Sequence, residues 1–169
     1  MAGEDDEIDE VVKQSGWQTL TIGDHSPPFA YTVGLMLTWR HPEIIVFGWE
    51  PRFAGGLIAW LVQMINAGRH FDHSEQACEI DELLNGNRIQ LAIRTVHATQ
   101  HQFYLGYSMA FARRHPEAGE LKAVQVFWPD ENGRFPFDAN CSENTFLNQP
   151  RLDIPKTSRE IKEFERLWR

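Results

Sequence analysis

The chain is poor in the residues and runs that announce chemistry. It holds two cysteines, Cys78 and Cys141, widely separated among 169 residues. That excludes a disulfide framework and a thiolate zinc site, and makes a reducing compartment the expectation. No apolar run is long enough for a bilayer: the best, Leu57 to Ile65, is interrupted by Gln63 and falls far short of the roughly 20 residues a span requires. No basic and apolar leader opens the sequence, so a cytoplasmic protein without membrane association is expected. Also missing are a phosphate-binding loop, a Gly-x-Ser-x-Gly elbow and a dinucleotide fingerprint, since Gly34, Gly48 and Gly55-Gly56 stand at other spacings. Nucleotide hydrolysis and serine-led acyl transfer lose support. Basic charge is scarce too, with 16 Lys and Arg against 24 Asp and Glu and a net charge of −8. A chain without a basic face is a poor match for nucleic acid.

What is present suits one globular domain. The length is that of a single domain, and 42% hydrophobic residues can fill one core. Six of the 24 acids lie in the first ten residues, and setting them aside leaves about −2 on the rest. The acidic start, residues 1–14, therefore reads as a solvated first helical turn, with Ile8, Val11 and Val12 on one side and Gly16 as its stop, or as an arm for a basic partner. Strand patterns follow at 17–22, 29–35, 43–48, 78–81, 88–96 and 121–128, with hairpins expected across GDHSPP and Asn85-Gly86. Helical spacing predicts a helix from Pro51 to Gly68 and another over 102–114, while 138–155 reads as loop. In the Pro51 helix the Gly55-Gly56 pair predicts close packing against the sheet or a late start. At the C-terminus, 153–169, Thr157 or Ser158 with Glu160 forms a capping box ahead of an amphipathic stripe of Ile161, Phe164, Leu167 and Trp168; docking on the chain's own domain is expected. The order of elements predicts an α+β domain over 15–152: a largely antiparallel mixed sheet, covered on one face by two main helices, plus the terminal amphipathic helix. A short echo, RHPE at Arg40–Glu43 and Arg114–Glu117, follows dissimilar elements and is treated as coincidence.

Two histidine pairs have metal-like spacing. His70 and His73 sit in a loop-like HFDH, and His97 and His101 are four apart, but His97 ends a strand and no third ligand follows at fixed spacing. No metal site and no cofactor is expected. The polar residues that remain cluster at strand ends. Tyr31, Thr32, His41 and Glu43 come from FAYTVGLMLTWRHPE, with Trp39 beside them, and Trp128, Asp130 and Arg134 follow the last strand. If the two regions met at one sheet end, imidazole, carboxylates and phenol would share an aromatic-walled pocket suited to ligand binding or acid/base work. The alternative is that His41-Pro42 and Trp128-Pro129-Asp130 are turns. Tyr104 and Tyr107 read as core aromatics.

GW at 16–17, FAYTVGL at 29–35, HPE at 41–43 followed by IIVFG, GRHF at 68–71, YLGY at 104–107 and FWPDENGRFPF at 127–137 stand together in one order. In this the chain resembles a family of small, mainly bacterial proteins known as a domain of unknown function. The resemblance covers about residues 15 to 152. The family's WPD-x-x-G-x-FPW run ends in Trp where this chain has Phe137, and a small residue usually precedes HPE where this chain has Arg40, so a ligand preference could differ. The resemblance implies no established activity.

Function therefore rests on classes. A small, acidic, motif-poor domain with amphipathic ends points to a stoichiometric protein-binding module, for example an immunity-type partner that neutralises a toxin, or a regulator. The enzymatic alternative is a hydrolase or transferase with His41 as acid/base, Glu43 or Asp130 as carboxylate and Tyr31 as hydrogen-bond donor. A third reading is a binder of flavin or another aromatic ligand, walled by Trp39 and Trp128.

Overall fold

The computed structural model describes residues 3–71, 78–84 and 86–168. Asn85 of the expected turn and His73 of HFDH lie outside the described residues. The chain opens with α1 (Glu4–Ser15), whose first turn carries Glu4, Asp5, Asp6 and Glu7 at the positive end of the helix dipole. It ends at Gly16, where φ is 86° and the amide donates to the Val12 carbonyl. Ile8 and Val12 are buried, and Arg114 pairs with both Asp5 and Asp9. The acidic start is thus a docked helix of the domain.

The strands are β1 (Gln18–Ile22), β2 (Phe29–Val33), β3 (Glu43–Phe47), β4 (Cys78–Leu84), β5 (Asn87–Thr95) and β6 (Ala123–Phe127). They form one sheet in the order β1-β2-β3-β6-β5-β4, antiparallel except for the parallel β3–β6 pair, in which Glu43 stands opposite Ala123 and Val46 opposite Val126. Both expected hairpins are present, β1 with β2 and β4 with β5.

Helices lie on both faces, not on one. α3 (Pro51–Asn66) lays Leu57, Ile58 and Leu61 over Ala30, Ile44, Val46, Val124 and Val126. The opposite face carries Ile45 and Phe47 under Ile8 and Val12 of α1 and Phe111 of α5 (Gly106–Arg114). This explains the unbroken apolar run EIIVF: a central strand covered on both sides buries every residue, so the half-buried alternation is lost. The helix expected over 102–114 breaks at Leu105, giving α4 (His101–Tyr104) and α5; Leu105 departs from helical geometry and is fully buried.

Two short helices were not foreseen. α2 (Leu35–Trp39) follows Gly34, which turns the chain at φ 107° in a space where a Cβ would come within 2.8 Å of Val12 Cγ1. α6 (Glu143–Leu147) occupies part of the expected loop and is capped by the Ser142 side chain. α7 (Ser158–Leu167) has the expected capping box between Thr157 and Glu160. The Gly55-Gly56 pair lies well inside α3, and a Cβ at either position would meet nothing within 4 Å. Neither close packing nor a late start accounts for it. The two RHPE copies touch, Arg40 of the first donating to the Glu117 carbonyl of the second.

Candidate functional site

The structure divides the residues singled out from the sequence between two ends of the sheet. Because β3 and β6 run parallel in register, Glu43 lies at the end where both strands begin, and Trp128 and Asp130 lie beyond the end where both finish. At roughly 3.3 Å per residue, the five positions from Glu43 to Gly48, beside Trp128, span about 16 Å. His41 and Glu43 do not meet Trp128 and Asp130 at one sheet end, and Glu43 opens β3, as the alternative reading of this region has it. Proton transfer needs contact near 3 Å, so a His41–Asp130 acid/base pair has no geometric basis.

At the first end, Glu43 is 2% exposed. Its Oε2 accepts from Thr32 Oγ1 at 2.6 Å, and its Oε1 accepts from the amides of Gly34 and Met36. The carboxylate thus binds the first turn of α2, which explains why a helix forms between two strands. Burial pushes this carboxyl up to about 7, against the pull of those hydrogen bonds. His41 is fully buried: its Nδ1 meets the Pro42 carbonyl at 2.7 Å and its Nε2 accepts from the Phe71 amide at 2.9 Å. Tyr31 is turned to the other layer, where its hydroxyl accepts from the Tyr107 amide, and burial raises the phenol to about 12. Thr32 and Glu43 are together; Tyr31 and His41 join neither each other nor Asp130. Trp39 donates from Nε1 to Asn66 Oδ1 and lines a cleft with Trp17, Val62 and Gln63. It is at the α2 end, so Trp39 and Trp128 do not wall one ligand.

At the second end, Asp130 organises a turn. Its Oδ1 accepts from the amides of Asn132 and Arg134, and its Oδ2 accepts from that of Ser142. The Arg134 and Ser142 amides hold its carboxyl below the ordinary range. Arg134 donates from Nη1 to the Asn140 carbonyl. Trp128 donates to the Phe47 carbonyl at 2.8 Å and lies 5.9 Å from Trp49, ring centre to ring centre. Trp49, Trp128 and Asp130 line an open cleft of about 340 Å³ with Arg88, Gln90 and Glu131. Trp49 was missed in the sequence, yet the signal was there: two parallel strands of equal length each run into tryptophan one or two residues past their ends.

Phe137 is part of the packing. It stacks on Phe135 and meets Phe127 edge-on, each at 5.4 Å, and the Arg94 guanidinium lies 3.7 Å above its ring. Among the described residues no group of three or more His, Cys, Asp or Glu could hold a metal ion. His97 is exposed and caps a 3-10 turn at 98–100 with its Nδ1.

The chain beyond α6 is stitched to the domain up to Lys156. Gln125 donates to the Pro150 carbonyl and accepts from Leu152, Gln100 donates to the Ile154 carbonyl, and the Lys156 amide donates to Thr99 Oγ1. α7 is then held through Phe164, whose ring lies 4.5 Å from Phe103. None of its residues is buried, so its docking is partial, and Leu167 and Trp168 are 76% and 77% exposed.

The architecture is a single α+β domain built on a mixed sheet with helices on both faces. Residues 11–142 match the family described as a domain of unknown function (DUF4262), and the chain belongs to that family. Neither the curated proteins nor the solved structures contain a match to it. Among the described residues no helix is long and apolar enough to cross a membrane.

Proposed function

We propose that the chain is a stoichiometric protein-binding module whose contact surface is its C-terminal segment. One observation carries this reading. Among the described residues, five of the six large hydrophobic side chains left exposed, Phe146, Leu147, Ile154, Leu167 and Trp168, lie beyond residue 142, where the family match ends. A domain that buries its apolar residues elsewhere, and leaves them exposed in one segment, presents a surface for a partner. α7 is built to persist without a core beneath it. Its capping box and the ion pairs Lys156–Glu160 and Arg159–Glu163 support the helix from its own surface. The partner's chemistry follows: an apolar groove that takes Leu167 and Trp168, with acidic groups at its rim for Lys162 and Arg166, which have no ion-pair partner among the described residues. An immunity-type protein that neutralises a toxin and a regulator of another protein both use such a surface; the product of a neighbouring gene is the first partner to try.

The experiment uses the purified chain and a purified partner recovered from the source cells. A defined complex that forms with the intact chain and is lost in Leu167→Asp/Trp168→Asp, with thermal stability unchanged, supports the reading. A complex indifferent to the double substitution, or no complex at all, overturns it.

A further inference from the structure

We propose that the cleft lined by Trp17 and Trp39 binds a neutral pyranose ring, as a free sugar or as a residue of a glycan. The cleft holds about 390 Å³, within the range of small-ligand sites, and none of its lining residues is charged. It is assembled where four elements meet: Ser15 ends α1, Trp17 precedes β1, Trp39 ends α2, and Val62, Gln63 and Asn66 share one face of α3. The fold fixes its walls. The Thr38 hydroxyl donates to the Gly16 carbonyl, the Trp39 indole donates to Asn66 Oδ1, and the Glu43 carboxylate holds the opening turn of α2. Both indoles pack on the core with part of their surface and stay partly exposed with the rest; among the described residues neither touches another aromatic ring.

The lining decides the ligand. A charged group would leave water for a cleft that offers no counter-charge. A purely apolar ligand would strip water from polar groups and give nothing back. Those groups are within reach: Ser15 and Gln63 are exposed and their side chains make no hydrogen bond among the described residues, and the Asn66 amide keeps its N–H donors after accepting from Trp39. Trp17 Nε1 has no partner among the described residues and is not sealed from solvent. The indole and amide nitrogens only donate, whereas the Ser15 hydroxyl and the Gln63 amide group donate and accept, so the ligand must do both. Hydroxyl groups do both. A pyranose with equatorial hydroxyls carries them around its edge and presents axial C–H bonds on its faces, where the polarised hydrogens suit the electron-rich face of an indole. Indole faces attract cations too, but a quaternary ammonium has nothing to offer Ser15, Gln63 or Asn66.

The test follows the Trp17 and Trp39 indole N–H signals in ¹H–¹⁵N spectra of the full chain, assigned with Trp17→Phe and Trp39→Phe. Methyl β-D-glucopyranoside is expected to move both saturably. Cyclohexylmethanol, which keeps a six-membered ring and loses its rim of hydroxyls, and tetramethylammonium chloride are each expected to bind about tenfold more weakly. Cellobiose binding more tightly than the glucoside supports the proposal with a glycan as the source; cellobiose binding no better supports it with a free sugar. Gln63→Ala is expected to weaken the glucoside about three- to tenfold, and it preserves α3 because alanine is the best helix former. The proposal is overturned if the glucoside fails to move both indoles, if cyclohexylmethanol, tetramethylammonium or the flat aromatic riboflavin binds as tightly, or if Gln63→Ala leaves the affinity unchanged.

Discussion

Thr32 Oγ1 donates to Glu43 Oε2 at 2.6 Å and accepts from the Ile44 amide at 2.9 Å, so one buried hydroxyl joins a carboxylate to the strand that carries it. The same carboxylate receives the amides that open α2. Its acidity sets a pH dependence whose sign is unusual for a carboxylate. The carboxyl titrates near 4.5 in an unfolded chain and at about 7 in the fold. Between those values the folded state holds the extra proton, so this contribution is fully present below about 4.5 and is lost as pH rises through about 7. The shift corresponds to a change on the order of 3 kcal/mol. Urea unfolding from pH 5 to pH 8 should show stability falling with pH, and Glu43→Gln should flatten the slope. A slope unchanged in the Gln variant would mean that another group governs it.

His41 uses both ring nitrogens on backbone groups, which makes it a structural residue by geometry. Replacing it by Phe leaves the Phe71 amide and the Pro42 carbonyl without those partners, at a cost of about 2–4 kcal/mol. Chemical denaturation measures this directly, and a variant as stable as the parent would contradict the assignment.

Two glycines should respond in opposite senses to the same substitution. Gly56→Ala, in an exposed helix interior with open space at Cβ, should stabilise by about 0.5–1 kcal/mol. Gly48→Ala should destabilise by about 2–4 kcal/mol, because φ is 84° and a Cβ would come within 2.7 Å of the Asn148 carbonyl oxygen and 2.9 Å of the Trp128 ring. Paired melting curves test both, and a loss of stability at Gly56 would show that the helix serves an unseen contact.

Phe137→Trp should be tolerated. The ring lies under Arg94 at 3.7 Å with Arg151 at 5.6 Å, and an indole offers a stronger cation–π partner. Stability is expected within about 1 kcal/mol of the parent, whereas Phe137→Ala should cost about 2–4 kcal/mol. Equal losses in both variants would assign the role to shape alone.

All six strands, α3 and the capped α7 were legible because each rests on a local signal: a run such as EIIVF, a proline at a helix start, a Thr with Glu three residues on. α2 was not, because its cause lies across the chain. Leu35–Trp39 becomes helical where Glu43 binds its first amides, and nothing in the periodicity of LMLTW announces a partner on the next strand. The same limit applies to the candidate site. The sequence placed Thr32 near Glu43 and Trp128 near Asp130, but only the parallel register of β3 and β6 separates the two groups.

The parallel β3–β6 pair also bears on how the chain reaches this structure. Glu43 and Ala123 are eighty positions apart, and the ladder they begin is the centre of the sheet. Closing so large a loop carries an entropic cost that the two flanking hairpins do not face, since each joins strands adjacent in sequence. The β1–β2 and β4–β5 hairpins can therefore assemble early and separately, and the event that commits the chain is the docking of β6 between β3 and β5. Amide-exchange pulse labelling during refolding would find Val124 and Val126 among the last positions in the sheet to gain protection.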